Sequence, residues 1–173
     1  THRIDRDTAG LVLLSTQRSD RGAYQALFRE QRVHKTYQAI APYRPELGFP
    51  REHRSRMQES GHFIRMQEVA GPPNSHTRLT LLEHNTHWAR YQLEPLSCKR
   101  HQLRVHMAAL GIGILGDGLY PEVNDAPEGD FSRPLRLLAQ AIAFTDPLTQ
   151  QQRHFHSQYT LGALPPAPAP APE

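Results

Sequence analysis

Two guanidiniums and two carboxylates fall within five residues near the start of the chain: Arg3, Asp5, Arg6 and Asp7. Thr8 and Gly10 stand just behind them. A carboxylate beside a guanidinium can serve as a nucleophile or as a general base. The same residues read equally well as a solvated turn with surface ion pairs. A second reactive group is Tyr37, two residues from Lys35. On a strand such a tyrosine is either a packing residue with a wet hydroxyl or a ring offered to a ligand. The third cluster is Arg100 to His106, with two arginines and two histidines in seven residues. Arg104 lies next to an apolar position, and a half-buried arginine needs an acid. Asp5 is one candidate for that acid, and any surface acid is another.

Other chemistries fit less well. Asp5-x-Asp7 lacks the preceding strand and the closing residue of an aspartyl phosphatase motif, since Ala9 stands at its last position. The 11 histidines invite a metal. His101 and His106 are five apart and do not share a helical face. His84 and His87 flank a hairpin turn, and His154 and His156 share a strand face. No acid or cysteine set joins any of these pairs, so no metal site is expected. Gly111-x-Gly113-x-x-Gly116 has the outward form of a dinucleotide fingerprint, but it follows a helix and opens none, so turn chemistry accounts for it.

Several elements must position these groups. Leu11 to Ser15 reads as a first strand, behind the charged loop. Ser19 or Asp20 caps a helix whose apolar face is Tyr24, Leu27 and Phe28, running to about Gln31. Val33 to Ala41 alternates and is a strand. Residues 42–60 carry Pro42, Pro45, Pro50 and several arginines, and read as a loop or insertion. Strands are expected at Phe63–Val69, Thr77–Leu82 and Trp88–Leu96, with a turn at Gly71-Pro72-Pro73-Asn74. Leu103, Met107 and Leu110 mark a helix over His101–Leu110. Residues 121–134 form an acidic loop, Leu137–Phe144 a buried element, and His154–Tyr159 a last edge strand. The class is α+β. A packed domain over residues 1–160 precedes a Pro/Ala-rich, disordered tail at 161–173.

The chain has 173 residues, enough for one domain with a real core. No stretch approaches the roughly 18 apolar residues of a membrane helix, so no membrane partner is expected. One cysteine, Cys98, excludes a disulfide framework and points to a reducing cytoplasm. Arginine supplies 18 of the 20 basic residues, which suits bidentate phosphate recognition. Residues 1–56 carry a net charge of +5, whereas residues 117–130 hold five acids and no base. A basic front half suggests an anionic partner such as nucleic acid.

Taken in order, the pieces resemble the RluA-type RNA pseudouridine synthases. The family's H-R-[LI]-D-x-x-T-[SA]-G motif is matched throughout by His2 to Gly10. Its K-x-Y motif is matched by Lys35-Thr36-Tyr37, and its H-Q-[IL]-R-[VL]-H motif by His101 to His106. A following L-G-x-P-I-x-G-D-x-x-Y pattern is met by Leu110 to Tyr120, with Gly113 in place of the usual proline. The resemblance covers about residues 1–147 and implies a mostly antiparallel mixed sheet with flanking helices. It implies a uridine isomerase acting on ribosomal or transfer RNA without a cofactor. Asp5 would attack C1′ or C6 of the uridine, Arg104 would be its buried partner, and Tyr37 would stack on or abut the base and assist proton removal from C5. Arg3 would enter the RNA stack where the uridine leaves. Arg6, Lys35, Lys99, Arg100 and His101 complete the expected RNA-contacting set, and a monomer is expected.

The chain departs from the family pattern in three further places. Ser97-Cys98-Lys99 replaces T-G-[RK], and cysteine for glycine should alter that turn if it needs a positive φ. Leu137-Leu138-Ala139-Gln140 lacks the histidine of L-L-H-A. The family also carries strands, and often a small RNA-binding domain, ahead of the leading motif, so an N-terminally incomplete catalytic domain is expected. The alternative reading is a non-catalytic RNA-binding module derived from the family.

Overall fold

Alternating apolar and polar residues generate the centre of a single mixed sheet. The structure, a computed structural model, describes residues 2–62, 64–124, 127 and 130–168. The elements in chain order are β1 (Ala9–Gly10), α1 (Arg21–Arg29), β2 (Val33–Pro42), a 3-10 turn (Pro45–Leu47), β3 (Arg51–Glu59), β4 (Met66–Val69), β5 (Ser75–His84), β6 (Trp88–Pro95), α2 (Gln102–Ala109), β7 (Leu137–Thr145) and β8 (Gln152–His156). The sheet order is β1-β7-β2-β6-β5-β3-β4, and β8 also pairs with β7. All pairings are antiparallel except β1 with β7. This is the mixed, mostly antiparallel α+β sheet that the resemblance implies.

On β2, Val33, Lys35, Tyr37, Ala39 and Ala41 share one face by the two-residue period. Tyr37 faces Ala139 on β7 and Leu93 on β6. That face carries the main core, in which Leu79, Tyr91 and Leu93 are fully buried with Leu103 and Met107 of α2. Each such side chain contributes about 1.5–3 kcal/mol on burial. Leu27 of α1 joins Val33, Ile142 and Phe144 on the same face. The β2–β7 register shifts between Thr36 and Tyr37, leaving Gln140 as the extra residue. This bulge reverses the parity of β7, so Leu137 and Ala139 before it and Ile142 and Phe144 after it all face the helices. The opposite face buries Ile40 and Leu138 beneath Leu161.

Several sequence expectations shift. The first strand is only Ala9–Gly10, not Leu11–Ser15, because β7 offers a parallel partner only there. Beyond it Leu11 and Leu13 turn into the α1 cluster while Leu14 is exposed. Residues 42–60 are not a loop throughout, since β3 occupies Arg51–Glu59. Its outer face is largely charged and its inner face runs Arg51, His53, Ser55 and Met57, with Met57 the one apolar residue, so little apolar alternation betrays it. The strand expected from Phe63 begins at Met66, and Phe63 lies outside the described residues. The last strand lies at Gln152–His156 rather than His154–Tyr159. Packing continues past position 161: Leu161 is buried, and the carbonyls of Leu161, Gly162 and Pro165 accept from Arg136, Arg90 and Asn85. Residues 169–173 of the expected tail lie outside the described residues. Among the described residues no helix is long and apolar enough to cross a membrane.

Candidate active site

The Asp5 loop is tied down at both ends. His2 is buried and stacked on Phe28 of α1, with 4.8 Å between ring centroids. Its Nδ1 accepts the Leu13 N–H, and burial together with the Lys35 charge lowers its pKa to about 4. Its ring is therefore neutral at pH 7. The Thr8 N–H donates to the Asp5 carbonyl, closing a turn over Arg6 and Asp7. Gly10 follows at φ +110°, where a Cβ would lie 2.3 Å from the Ala139 carbonyl oxygen. Only glycine fits so close to β7, and this contact sets the distance from the loop to the sheet.

Arg104 approaches Asp5 from α2. This short helix is buried from Gln102 through Met107, so its polar residues sit inside as well as its apolar ones. The Arg104 guanidinium is 3.7 Å from Asp5 Oδ2. Its main partner, however, is Asp117, which accepts from Nε at 2.9 Å and from an Nη at 2.6 Å. Both side chains are almost wholly buried, at 2% and 1% exposure, whereas Asp5 is 25% exposed. Asp117 also accepts the Leu119 and Tyr120 backbone N–H groups. Burial acts to lower the Arg104 pKa, but the Asp117 hydrogen bonds and charge outweigh it and raise the value. Arg104 is therefore a fixed cation held by one aspartate and presented to another. Arg104 does stand buried beside Asp5 as expected, but its shorter, bidentate contact is to Asp117, an acid the sequence reading did not single out. A bidentate partner in a dry site outweighs a longer contact open to water.

Asp117 and Tyr120 went unassigned in the sequence, although both stand in the Leu110–Tyr120 stretch. The usable signal was an acid directly after Gly116. There φ is +79° and a Cβ would lie 2.1 Å from the Pro134 carbonyl oxygen. Tyr120 is buried, and its ring lies under both Arg104 and Arg65, at 5.5 and 5.0 Å.

Tyr37 flanks the site from β2. Burial is the main cause that raises its pKa, with further contributions from Cys98 and Asp5. The phenol thus stays protonated, suited to ring contact or hydrogen-bond donation rather than to taking up a proton. Cys98 is exposed and its φ is not positive, so the condition on which an altered turn was expected is not met at this position. The left-handed residue of this turn is His101, at φ 54°.

The expected RNA-contacting residues surround these groups. Arg3 and Arg6 are exposed on the Asp5 loop, and Arg6 pairs with Asp7 at 3.0 Å. Lys99 and Arg100 are exposed ahead of α2, with Arg100 3.7 Å from Glu59. His101 reaches Asp5 Oδ1 at 4.0 Å. Lys35 is half-buried and lines a cleft of about 390 Å³ with Phe28, Arg32, Leu96 and Cys98. Asp5, Tyr37 and Arg104 do not line that cleft.

His53, Glu68 and His106 bring their ligand atoms within 4.8 Å of one another, a juxtaposition not foreseen from the sequence. Hydrogen-bond bookkeeping argues against a ligand role for His106. Gln102 donates to Thr77 Oγ1, and that hydroxyl is left to donate to His106 Nδ1. Ser75 donates to the Ser55 carbonyl, so its oxygen accepts from His106 Nε2–H. Both ring nitrogens are engaged, and burial lowers the His106 pKa to about 3. The network fastens α2 to β3 and β5.

A family model described as RNA pseudouridylate synthase matches residues 1–109. Ribosomal large subunit pseudouridine synthase C of Vibrio cholerae is 31% identical over 158 residues, covering 90% of this chain and 50% of that protein. The dual-specificity RNA pseudouridine synthase RluA of Pasteurella multocida is 31% identical over 162 residues, covering 89% and 70%. The solved structure of human RNA pseudouridylate synthase domain containing 1 superposes with a TM-score of 0.74 at 25% identity, covering 90% of this chain and 66% of that one. The chain spans about half the length of several curated relatives, 53% and 50% of two of them.

Proposed function

The chain belongs to the RNA pseudouridylate synthase family, and from that premise we propose that it isomerises uridine to pseudouridine in ribosomal or transfer RNA, with Asp5 as the nucleophile. The observation that carries this reading is the surroundings of Asp5. One carboxylate oxygen faces Arg104 at 3.7 Å and the other faces His101 at 4.0 Å, while the whole side chain keeps 25% exposure. A carboxylate flanked by a guanidinium and an imidazole yet open to solvent is placed to attack a bound substrate. Attack at C1′ or at C6 allows the N1–C1′ bond to break. The uracil turns, C5 bonds to C1′ as the carboxylate is released unchanged, the C5 proton leaves to a base, and N1 takes up a proton.

Arg104, locked by Asp117, orients Asp5 and offsets its charge. Tyr37 abuts the base as a protonated phenol. Arg3 and Arg6 on the same loop, with Lys35, Lys99, Arg100 and His101, meet the RNA. Arg3 enters the stack as the uridine is extruded, a step that costs a few kcal/mol. The chemistry on this reading needs no cofactor, and it takes place in the cytoplasm on a monomeric protein.

The test is pseudouridine formation in ribosomal and transfer RNA transcripts by the wild type and by Asp5→Asn. The variant is expected to lose product while binding the same RNA within a few-fold of wild type. A wild-type chain that binds RNA but forms no pseudouridine would support the RNA-binding module instead.

A further inference from the structure

His101 sits at the N-terminal boundary of α2 in a left-handed conformation, with φ 54° and ψ 18°. A β-carbon makes that region unfavourable, and such strain persists where the surroundings hold it in place. The residue is half-buried, and its two ring nitrogens point to different partners. Nδ1 lies 2.8 Å from the Tyr120 hydroxyl. The same hydroxyl oxygen accepts the Met66 backbone N–H at 2.8 Å. The Tyr120 proton is then available for His101 Nδ1, which accepts it. In the neutral ring the remaining proton must sit on Nε2. Nε2 is the atom 4.0 Å from Asp5 Oδ1.

We infer that His101 is a positioning residue for Asp5, its Nε2–H aimed at Oδ1 and its tautomer set by Tyr120. A donor chain thus runs from the β4 backbone through Tyr120 and His101 to the carboxylate. Arg104 holds the second oxygen. The two donors differ in kind: Arg104 is a permanent charge, whereas His101 is a neutral donor, its pKa lowered mainly by burial, with Arg104 and Arg100 lowering it further against the opposing pull of Asp5 and Asp117. As the loop closes on substrate, the 4.0 Å gap shortens into a hydrogen bond that fixes which oxygen lone pair points outward. When the carboxylate departs at the end of the reaction, the same donor receives it.

The inference rests on the reading of Asp5 as nucleophile, so its test has two arms. In the first, the full chain carries ¹⁵N-labelled histidine, and the His101 resonances are assigned by their loss in His101→Gln. At pH 7 the expected pattern is an unprotonated Nδ1 and a protonated Nε2. Asp5→Asn should shift the Nε2 resonance and lower the His101 titration midpoint, because it removes a facing carboxylate. The other groups facing the ring, Arg104, Arg100, Asp117 and Tyr120, are left intact. A proton found on Nδ1, or a His101 signal indifferent to Asp5→Asn, overturns the inference. In the second arm, single-turnover pseudouridine formation is compared with RNA affinity. His101→Asn tolerates the left-handed backbone but cannot reach Asp5. It should lose up to about 100-fold in rate, the scale of a misplaced reacting group, a loss well beyond any change in RNA affinity, which His101 shares with Lys35, Lys99 and Arg100. His101→Gln, with a longer amide, should recover part of the loss. Tyr120→Phe should slow the wild type but add nothing to His101→Asn, since it acts through His101. Unchanged rates in His101→Asn, or additive losses, overturn the inference. A wild-type protein without isomerase activity refutes the proposed function, while the first arm still decides the His101–Asp5 pairing.

Discussion

Asp5 and Asp117 both face Arg104, and they should have opposite effects on stability and activity. Asp117→Ala removes the acceptor of two guanidinium hydrogen bonds and of the Leu119 and Tyr120 N–H groups. Arg104 would remain 2% exposed, over the Tyr120 ring, with the 3.7 Å contact to Asp5 as its remaining ion pair among the described residues. Breaking a buried pair from one side costs about 3–5 kcal/mol. With a typical domain stability of about 5–15 kcal/mol, that is roughly a fifth of the total or more. Asp117→Asn keeps the shape and the backbone contacts, so it should fall between the alanine variant and the wild type. Asp5→Ala removes a longer contact that is a quarter exposed, worth about 0–1 kcal/mol after solvent screening. Urea unfolding followed by far-ultraviolet circular dichroism measures all three. The expected order of loss is Asp117→Ala, then Asp117→Asn, then Asp5→Ala near wild type, although Asp5→Ala is the variant that should abolish product. An Asp117→Ala loss below about 1 kcal/mol, or an Asp5→Ala loss equal to it, would refute Asp117 as the group that holds Arg104.

Gly10→Ala and Gly116→Ala should both lower the melting temperature more than Gly111→Ala. All three have positive φ, but only the first two would drive a Cβ into backbone, at 2.3 and 2.1 Å, with nothing within 4 Å of the third. His2 and His106 are held neutral, with pKa values lowered from 6.5 to about 4 and about 3. The unfolded chain therefore binds more protons below pH 6.5, and their stabilisation, complete above that pH, falls as the pH drops towards 4. The slope is up to about 1.4 kcal/mol per pH unit for each group. His106→Gln should flatten the dependence of the urea midpoint between pH 6.5 and 4. RNA binding should weaken with salt, and Arg3→Ala and Lys99→Ala should each reduce the log–log slope by about 0.7 on single-stranded RNA. A flat salt dependence would count against the basic front half as the RNA surface.

What the sequence determined by itself was local. Alternation in Val33–Ala41, Thr77–Leu82 and Trp88–Leu96 reports a half-buried strand wherever the chain is placed, because successive side chains must point to opposite faces. Tyr24, Leu27 and Phe28 report a helix face for the same kind of reason. The motif order around Asp5, Tyr37 and Arg104 was also legible, and the fold brings all three together. The tertiary structure decided what depends on partners distant in the chain. β1 is two residues long because β7 pairs with only two. β3 shows little apolar alternation because, apart from Met57, its half-buried positions His53 and Ser55 serve the His106 network. The Gln140 bulge, which turns Ile142 and Phe144 to the helix face, arises from pairing with β2. Above all, the acid that secures Arg104 was decided by the approach of the Gly116–Tyr120 turn to α2, which a guanidinium in the sequence cannot announce. An arginine's need for a carboxylate is written in its chemistry; which carboxylate meets it is a matter of distance and dryness, and those belong to the fold.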